Sequence, residues 1–377
     1  MLQLGSFKEN AGCWKSTSLD HRPLDSSGGQ MNDSEANPIH PCPIEDDYKN
    51  LVYTVVYIIV FLSGLLFNTA AVYVFCKVRR KKGISTICLL NLAAADLLFI
   101  FFLPLRITYY YKNGTWIFGD FMCRVTTFSF FFSMYSSIFF LACLSIFRYM
   151  SVVHQRAIKV KTAIKVCAGV WIFTGLSTIP FLLSGVIVRE NVLRCFEPSL
   201  LSAWQRIMYM NYYALVVGFT LPFFAILVCN GLIIRHIVTM PMEKKTIQKQ
   251  VTMMVLILLV CCVCFLPYHI QRTVHLHFLV HHPDTCTLHD VLKKTVVTTL
   301  CLAVLNTCLD PLLYAFVGHG YKSWLLYLCR PKKASNVKTS STDSSGINEA
   351  MVEEVPMNEN GQRSSNNNEI NNGTLIC

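Results

Sequence analysis

Charge is scarce in this sequence. Only 15% of its 377 residues are Asp, Glu, Lys or Arg, against roughly 25% in an ordinary globular domain. With 53% of the residues hydrophobic and a mean hydropathy of +0.44, a water-soluble protein would leave much apolar surface exposed. That argues against a cytosolic enzyme, and the same excess excludes disorder for most of the chain. The first 50 residues lack the continuous apolar core of a cleavable signal peptide. The first membrane segment is therefore expected to act as the targeting signal, with Met31 a second plausible start. Zinc-ligand spacing is also missing among the 17 cysteines.

What the chain does have is long apolar runs. A bilayer-crossing helix needs about 20 apolar residues, and seven segments qualify: 51–76, 86–111, 123–147, 163–187, 209–236, 250–280 and 294–317. The expected fold is all-α, a seven-span membrane bundle over 51–318. A polar, unstructured arm over 1–50 precedes it; a short amphipathic cytoplasmic helix (helix 8, 319–330) and a disordered cytoplasmic tail (331–377) follow.

The net charge of +11 hides a sharper imbalance, because both flanks are acidic and residues 51–330 carry 25 basic against 8 acidic residues. Sixteen of those basic residues, among them Lys77, Arg79–Lys82, Arg148, Lys159, Lys244 and Lys322, fall on one side with a single acid, Glu243. By the positive-inside rule the N-terminus is outside and the C-terminus cytoplasmic. These cations sit at helix ends beside anionic headgroups, so they point to membrane lipid and not to nucleic acid. Asn32 and Asn113 head glycosylation sequons on the outer side.

The cysteines sort by compartment. Most lie in spans, where Cys acts as a small apolar residue. Cys13, Cys42, Cys123, Cys195 and Cys286 face the oxidising exterior, where thiols pair. Cys123 with Cys195 suits a bridge from a loop to the tip of span three, and Cys42 with Cys286 suits a staple from the arm to the last outer loop. Cys329, at the end of the amphipathic stretch, reads as a palmitoylation site.

Polar residues inside apolar spans are costly and mark function. Asp96 and Asp310, with Asn68, Ser137 and Asn306 on neighbouring spans, offer oxygens of the kind a sodium ion prefers; the alternative is a hydrogen-bonded polar core with protonated acids. Arg148 stands at the cytoplasmic end of span three. Pro180, Pro222 and Pro267 interrupt helices and kink them.

Taken together, these residues resemble the rhodopsin-like G-protein-coupled receptors over roughly 50–330. The matches are Asn68, Leu92–Asp96, Trp116–Gly119 before Cys123, Arg148, Trp171, Pro222, Phe265-Leu266-Pro267-Tyr268 and Asp310-Pro311-Leu312-Leu313-Tyr314. Narrower stretches, Leu103–Arg106 with Tyr109 and Tyr110, Cys195–Pro198 and His269–Phe278, are similar to the cysteinyl leukotriene receptors of the purinergic-like branch. The chain departs from the wider pattern at Phe147, where an acid usually precedes the arginine and holds the resting state.

The resemblance implies a plasma-membrane receptor that is no enzyme and needs no cofactor beyond an allosteric sodium ion. Its partners would be a heterotrimeric G protein of Gq or Gi type, acting through calcium and phosphatidylinositol signalling, and arrestin, recruited by phosphorylation of Thr339–Thr342, Ser344 and Ser345. Arg148 and Tyr149 would meet the G protein, while Phe265, Pro267 and Tyr314 would form the switch.

The ligand is expected to be an anion with a long apolar part. Arg106 and Arg272 lie in the outer halves of spans two and six, where an unpaired arginine is expensive and can clamp a carboxylate bidentately. Tyr110 is one turn from Arg106; Tyr268 and Arg272 share a face, His269 is their neighbour, and Phe131 and Tyr135 would supply a floor. A cysteinyl leukotriene fits that set. A nucleotide is the alternative, because His269 and Arg272 also suit a phosphate chain and Lys293 and Lys294 stand nearby; another is an arginine that merely binds Glu190 or Glu197. His275, His277, His281 and His282 read as solvent-facing residues. A retinal pigment would need a lysine within 295–317, and there is none. A transporter would show inverted repeats, and none is evident.

Overall fold

The computed structural model describes residues 46–78, 83–183, 185–189, 192–196, 201–239, 244–282 and 285–317. Helix 8, Cys42, Asn32, Cys329, Glu190, Glu197 and the phosphorylatable tail lie outside the described residues.

Among the described residues seven helices are long and apolar enough to cross a membrane: Asp47–Cys76, Ile84–Tyr111, Gly119–Val152, Val160–Leu182, Leu201–Thr239, Gln250–His281 and Cys286–Tyr314, called spans one to seven. Helices are what such sequences must form in hydrocarbon, where each backbone N–H and C=O needs an internal partner. At 1.5 Å per residue even a 23-residue span reaches roughly 35 Å, past the apolar core of a bilayer. Span three is the central pillar, with 78% of its apolar window buried against 28% for span four.

Helix ends exceed the apolar runs. Span one already starts at Asp47 and span five at Leu201, because a helix continues into the polar interface wherever its backbone has no reason to stop. Span three begins at Gly119, whose φ of +77° is a left-handed conformation suited to glycine. There the Trp116 indole N–H donates to the Gly119 carbonyl at 2.7 Å.

The prolines are accommodated by local rewinding. Spans five and six widen into π-helical turns over Ala214–Thr220 and Val260–Phe265, just before Pro222 and Pro267. Pro180 sits in the 3-10 turn Ile179–Leu183 that ends span four. Proline donates no hydrogen bond, and a π-turn is a common way for a helix to absorb the loss.

A two-stranded antiparallel hairpin, β1 (Val186–Arg189) and β2 (Val192–Cys195), caps one end of the bundle, with Val186 opposite Cys195. Cys195 is disulfide-bonded to Cys123 of span three, and the Leu193 carbonyl accepts the Trp116 backbone N–H at 2.8 Å. Cys286 is disulfide-bonded too. This is called the hairpin end; Arg148 marks the opposite end.

Candidate functional site

Beneath the hairpin, span three presents Phe130 and Phe131 side by side, their centroids 5.0 Å apart. A guanidinium lies on each. Arg106 of span two stands 5.3 Å from the Phe130 centroid, and Arg272 of span six 5.4 Å from that of Phe131. Arg272 also lies 5.9 Å from the Tyr268 ring, close to its hydroxyl but without hydrogen-bond geometry, so the buried Tyr268 oxygen has no bonded partner. Arg106 makes one long bond, 3.4 Å to the Thr126 carbonyl, and its buried Nε has none. Among the described residues no carboxylate lies within 4 Å of either arginine.

Rim cations behave differently. Lys293 pairs with Asp46 at 2.5 Å and Lys294 with Asp290 at 2.7 Å; Arg124 pairs with Asp120 at 2.6 Å. Asp46 is a hub, since Lys49 and Arg194 also lie within 3.2 and 3.7 Å. Burial tends to raise the Asp46 pKa, but Lys49 and Lys293 outweigh it and hold the carboxyl below its usual range.

Below the arginines the surroundings turn apolar. Phe131 stacks on Phe181 at 3.8 Å and near Tyr135 at 6.4 Å. Phe181 and Tyr135 in turn line a cleft of about 470 Å³ between spans three, four and five, bounded also by Phe173, Leu176, Tyr209 and Val217. Leu176 and Tyr209 are exposed on the flank of the bundle that a bilayer would cover. Gly218 permits the close packing here, since a Cβ on it would come within 2.8 Å of the Tyr135 ring. A series of ring contacts thus links the two cations to an apolar cleft.

Two of the expected residues have other surroundings. Tyr110 is buried in an aromatic group with Tyr53 and Tyr57, at 4.6 and 5.8 Å. His269 stacks on Phe219 at 4.3 Å, and its Nδ1 donates to the Phe265 carbonyl at 2.8 Å. A carbonyl only accepts, so the neutral ring presents a lone pair at its buried, unpartnered Nε2. Such an atom receives a hydroxyl and repels a phosphate oxygen.

Deeper in the bundle Asn68 donates to the carbonyls of Gly64 and Thr307, each at 3.0 Å, and accepts from the Tyr314 hydroxyl at 3.0 Å. Asp96 accepts from Thr307 at 3.5 Å and Asp310 from Asn306 at 3.4 Å. Asp96 Oδ2, Asp310 Oδ1 and Ser137 Oγ are buried with no hydrogen-bond partner. A cavity of about 20 Å³ is lined by Ser137 and by Asn306 and Thr307, the hydrogen-bond partners of Asp310 and Asp96; it suits one water or one small ion. Unpartnered oxygens of this kind fit a hard cation.

At the opposite end Arg148, nearly buried, donates to Gln250 of span six. Tyr149 is hydrogen-bonded to His154 at 3.0 Å. Phe265 and Tyr314 are fully buried. The sequence reading missed Asp46, Gln250, Phe181 and Phe219. The first two are polar residues at span ends and the others anonymous aromatics, so only tertiary contact singles them out.

The family model described as 7 transmembrane receptor (rhodopsin family) matches residues 67–314. Cysteinyl leukotriene receptor 1 of Homo sapiens is 38% identical over 288 residues, covering 74% of this chain and 86% of that protein. Cysteinyl leukotriene receptor 2 of Homo sapiens is 36% identical over 330 residues, covering 85% and 92%. The uracil nucleotide/cysteinyl leukotriene receptor of Homo sapiens is 31% identical over 298 residues, covering 78% and 80%.

Proposed function

The chain belongs to the rhodopsin family of seven-transmembrane receptors, and from that premise we propose that it is a plasma-membrane receptor for cysteinyl leukotrienes or closely similar anionic lipids. The observation that carries this reading is the pair of guanidiniums on Phe130 and Phe131, without carboxylate partners among the described residues, above an apolar cleft. The ligand's carboxylates bind Arg272 and Arg106, Tyr268 donates its free hydroxyl, and the fatty chain lies along Phe131 and Tyr135 toward the cleft. His269 accepts a ligand hydroxyl, while Tyr110 packs in the aromatic core with Tyr53 and Tyr57. A nucleotide, the competing ligand, needs more positive charge than two arginines, and Lys293 and Lys294 are already held by Asp46 and Asp290.

The hairpin end faces outward and the basic end lies in the cytoplasm, as the charge asymmetry favours. Signalling is a population shift. Tyr268 and Arg272 lie on one side of Pro267 and the Arg148–Gln250 bond on the other, so a ligand that draws on span six above the proline biases its opening below. Opening frees Arg148 for a heterotrimeric G protein of Gq or Gi type, and arrestin binds the phosphorylated tail. Where a sodium ion is present, Asp96 and Asp310 would hold it with Ser137 and Asn306, and it would supply positive charge that neutralises their carboxylates.

A calcium assay comparing cysteinyl leukotrienes with uracil and adenine nucleotides, in the parent and in Arg272→Ala, tests the reading. Potent leukotriene responses that weaken by roughly a hundredfold or more in the variant, with surface expression intact, support it. A nucleotide response alone, or full leukotriene potency in the variant, overturns it.

A further inference from the structure

A pair of histidines on the hairpin-end turns of span six takes no part in the ligand site. His277 and His281 stand four residues apart on one helical face, with rings stacked 4.4 Å apart and 27° between their planes, and both are exposed. On each ring Nδ1 is already engaged. That of His281 bonds the His277 carbonyl at 2.9 Å, and that of His277 bonds the Tyr212 hydroxyl of span five at 3.0 Å.

A carbonyl only accepts, so the proton of neutral His281 sits on Nδ1 and Nε2 keeps its lone pair. A phenol can accept in the same way, which lets His277 take the same tautomer. Histidines that bind metals show this pattern: one ring nitrogen is held by an oxygen and the other is left for the ion. Two histidines at i and i+4 on a helix also present their rings to one point.

We propose that His277 and His281 form a site for a borderline divalent transition ion of the Zn²⁺ type, bound through both Nε2 atoms with water completing the coordination. Imidazole nitrogens suit Zn²⁺, Cu²⁺ and Ni²⁺, whereas Ca²⁺ and Mg²⁺ require oxygen. The site shares no residue with the arginine pocket and does not depend on the ligand proposed for it.

Its position also gives it a mechanical link. The His277–Tyr212 bond crosses from span six to span five, beside a second crossing from Asn211 to Thr273 at 2.8 Å. An ion on Nε2 withdraws electron density from the ring and makes Nδ1–H a stronger donor to Tyr212. Tyr212 is therefore a positioning residue, and metal binding tightens the contact between spans five and six.

Titration calorimetry with Zn²⁺ on the purified full-length receptor tests the site. The parent should bind with an isotherm that the double variant His277→Gln/His281→Gln lacks, and Ni²⁺, but not Mg²⁺, should compete. Tyr212→Phe should weaken binding by about tenfold while each histidine stays in place. Thermal unfolding without metal should be alike in parent and double variant, which separates loss of the site from loss of fold. An unchanged isotherm in the double variant overturns the proposal, as does a parent that takes up no Zn²⁺.

Discussion

The two ends of the bundle both hold guanidinium groups between spans, and they treat them differently. At the basic end Arg148 is held by Gln250 of span six. Beneath the hairpin Arg106 and Arg272 rest on aromatic rings with no carboxylate partner among the described residues, although Asp46, Asp120 and Asp290 on the same rim each neutralise a cation. Acids were thus available to the fold at this end and were placed elsewhere. Removing one partner of a buried charge is costly; under the proposed function the arginine that the protein partners would act as a latch, and the two without a carboxylate among the described residues would await a ligand.

The largest expected effect breaks the comparison at Arg272. A charge-assisted hydrogen bond contributes about 1.5–3 kcal/mol, and a bidentate one more, so Arg272→Ala should lower leukotriene potency by roughly a hundredfold or more in a calcium assay. Arg106 is partly engaged by Thr126, so Arg106→Gln should cost less, roughly tenfold. If both variants signal like the parent while Arg124→Ala does not, the distinction between rim and pocket is wrong.

Gln250→Ala tests the other half. It strips Arg148 of its partner in the closed bundle, a loss of about 1–3 kcal/mol for a buried donor, whereas an open cleft would hydrate the arginine. Basal G-protein activation should rise about fivefold or more, with little change in ligand affinity. Unchanged basal signalling would mean that Gln250 is no latch.

Lys293→Ala sharpens the choice of ligand. A lysine spent on Asp46 should matter little to a leukotriene, with potency shifting by less than about threefold. A loss on the scale of Arg272→Ala would instead place Lys293 on the ligand and favour a phosphate chain.

The spans and their order were legible because hydrocarbon imposes a strong rule on composition, and Arg106 and Arg272 stood out because charge in a span is rare. Apart from the Cys123–Cys195 bridge, what escaped was decided by contact between distant segments. Phe147 suggested a weakened resting state, yet Gln250, 102 residues beyond Arg148, provides an uncharged substitute. Lys293 and Lys294 looked available for a ligand because Asp46, 247 residues from Lys293, gave no sign in the sequence that it would claim one of them. His269 beside Arg272 looked like an anion clamp, and only the Phe265 carbonyl shows that its remaining ring nitrogen offers a lone pair.

The smallest effect lies at the rim and has a defined dependence on pH. Asp46→Asn removes the hub that ties span one to span seven and to the hairpin, and should cost roughly 1 kcal/mol of stability near neutrality. Because its folded pKa is depressed, the stabilisation is complete above the unfolded value and is lost only as pH falls through the lower, folded one. The gap between parent and variant in thermal unfolding should therefore stay flat from about pH 8 to pH 5 and close only at stronger acidity. A gap that closes between pH 7 and 6 would mean that a group other than Asp46 titrates. Ligand potency, by contrast, should barely move, because Asp46 neutralises only cations that the pocket does not use.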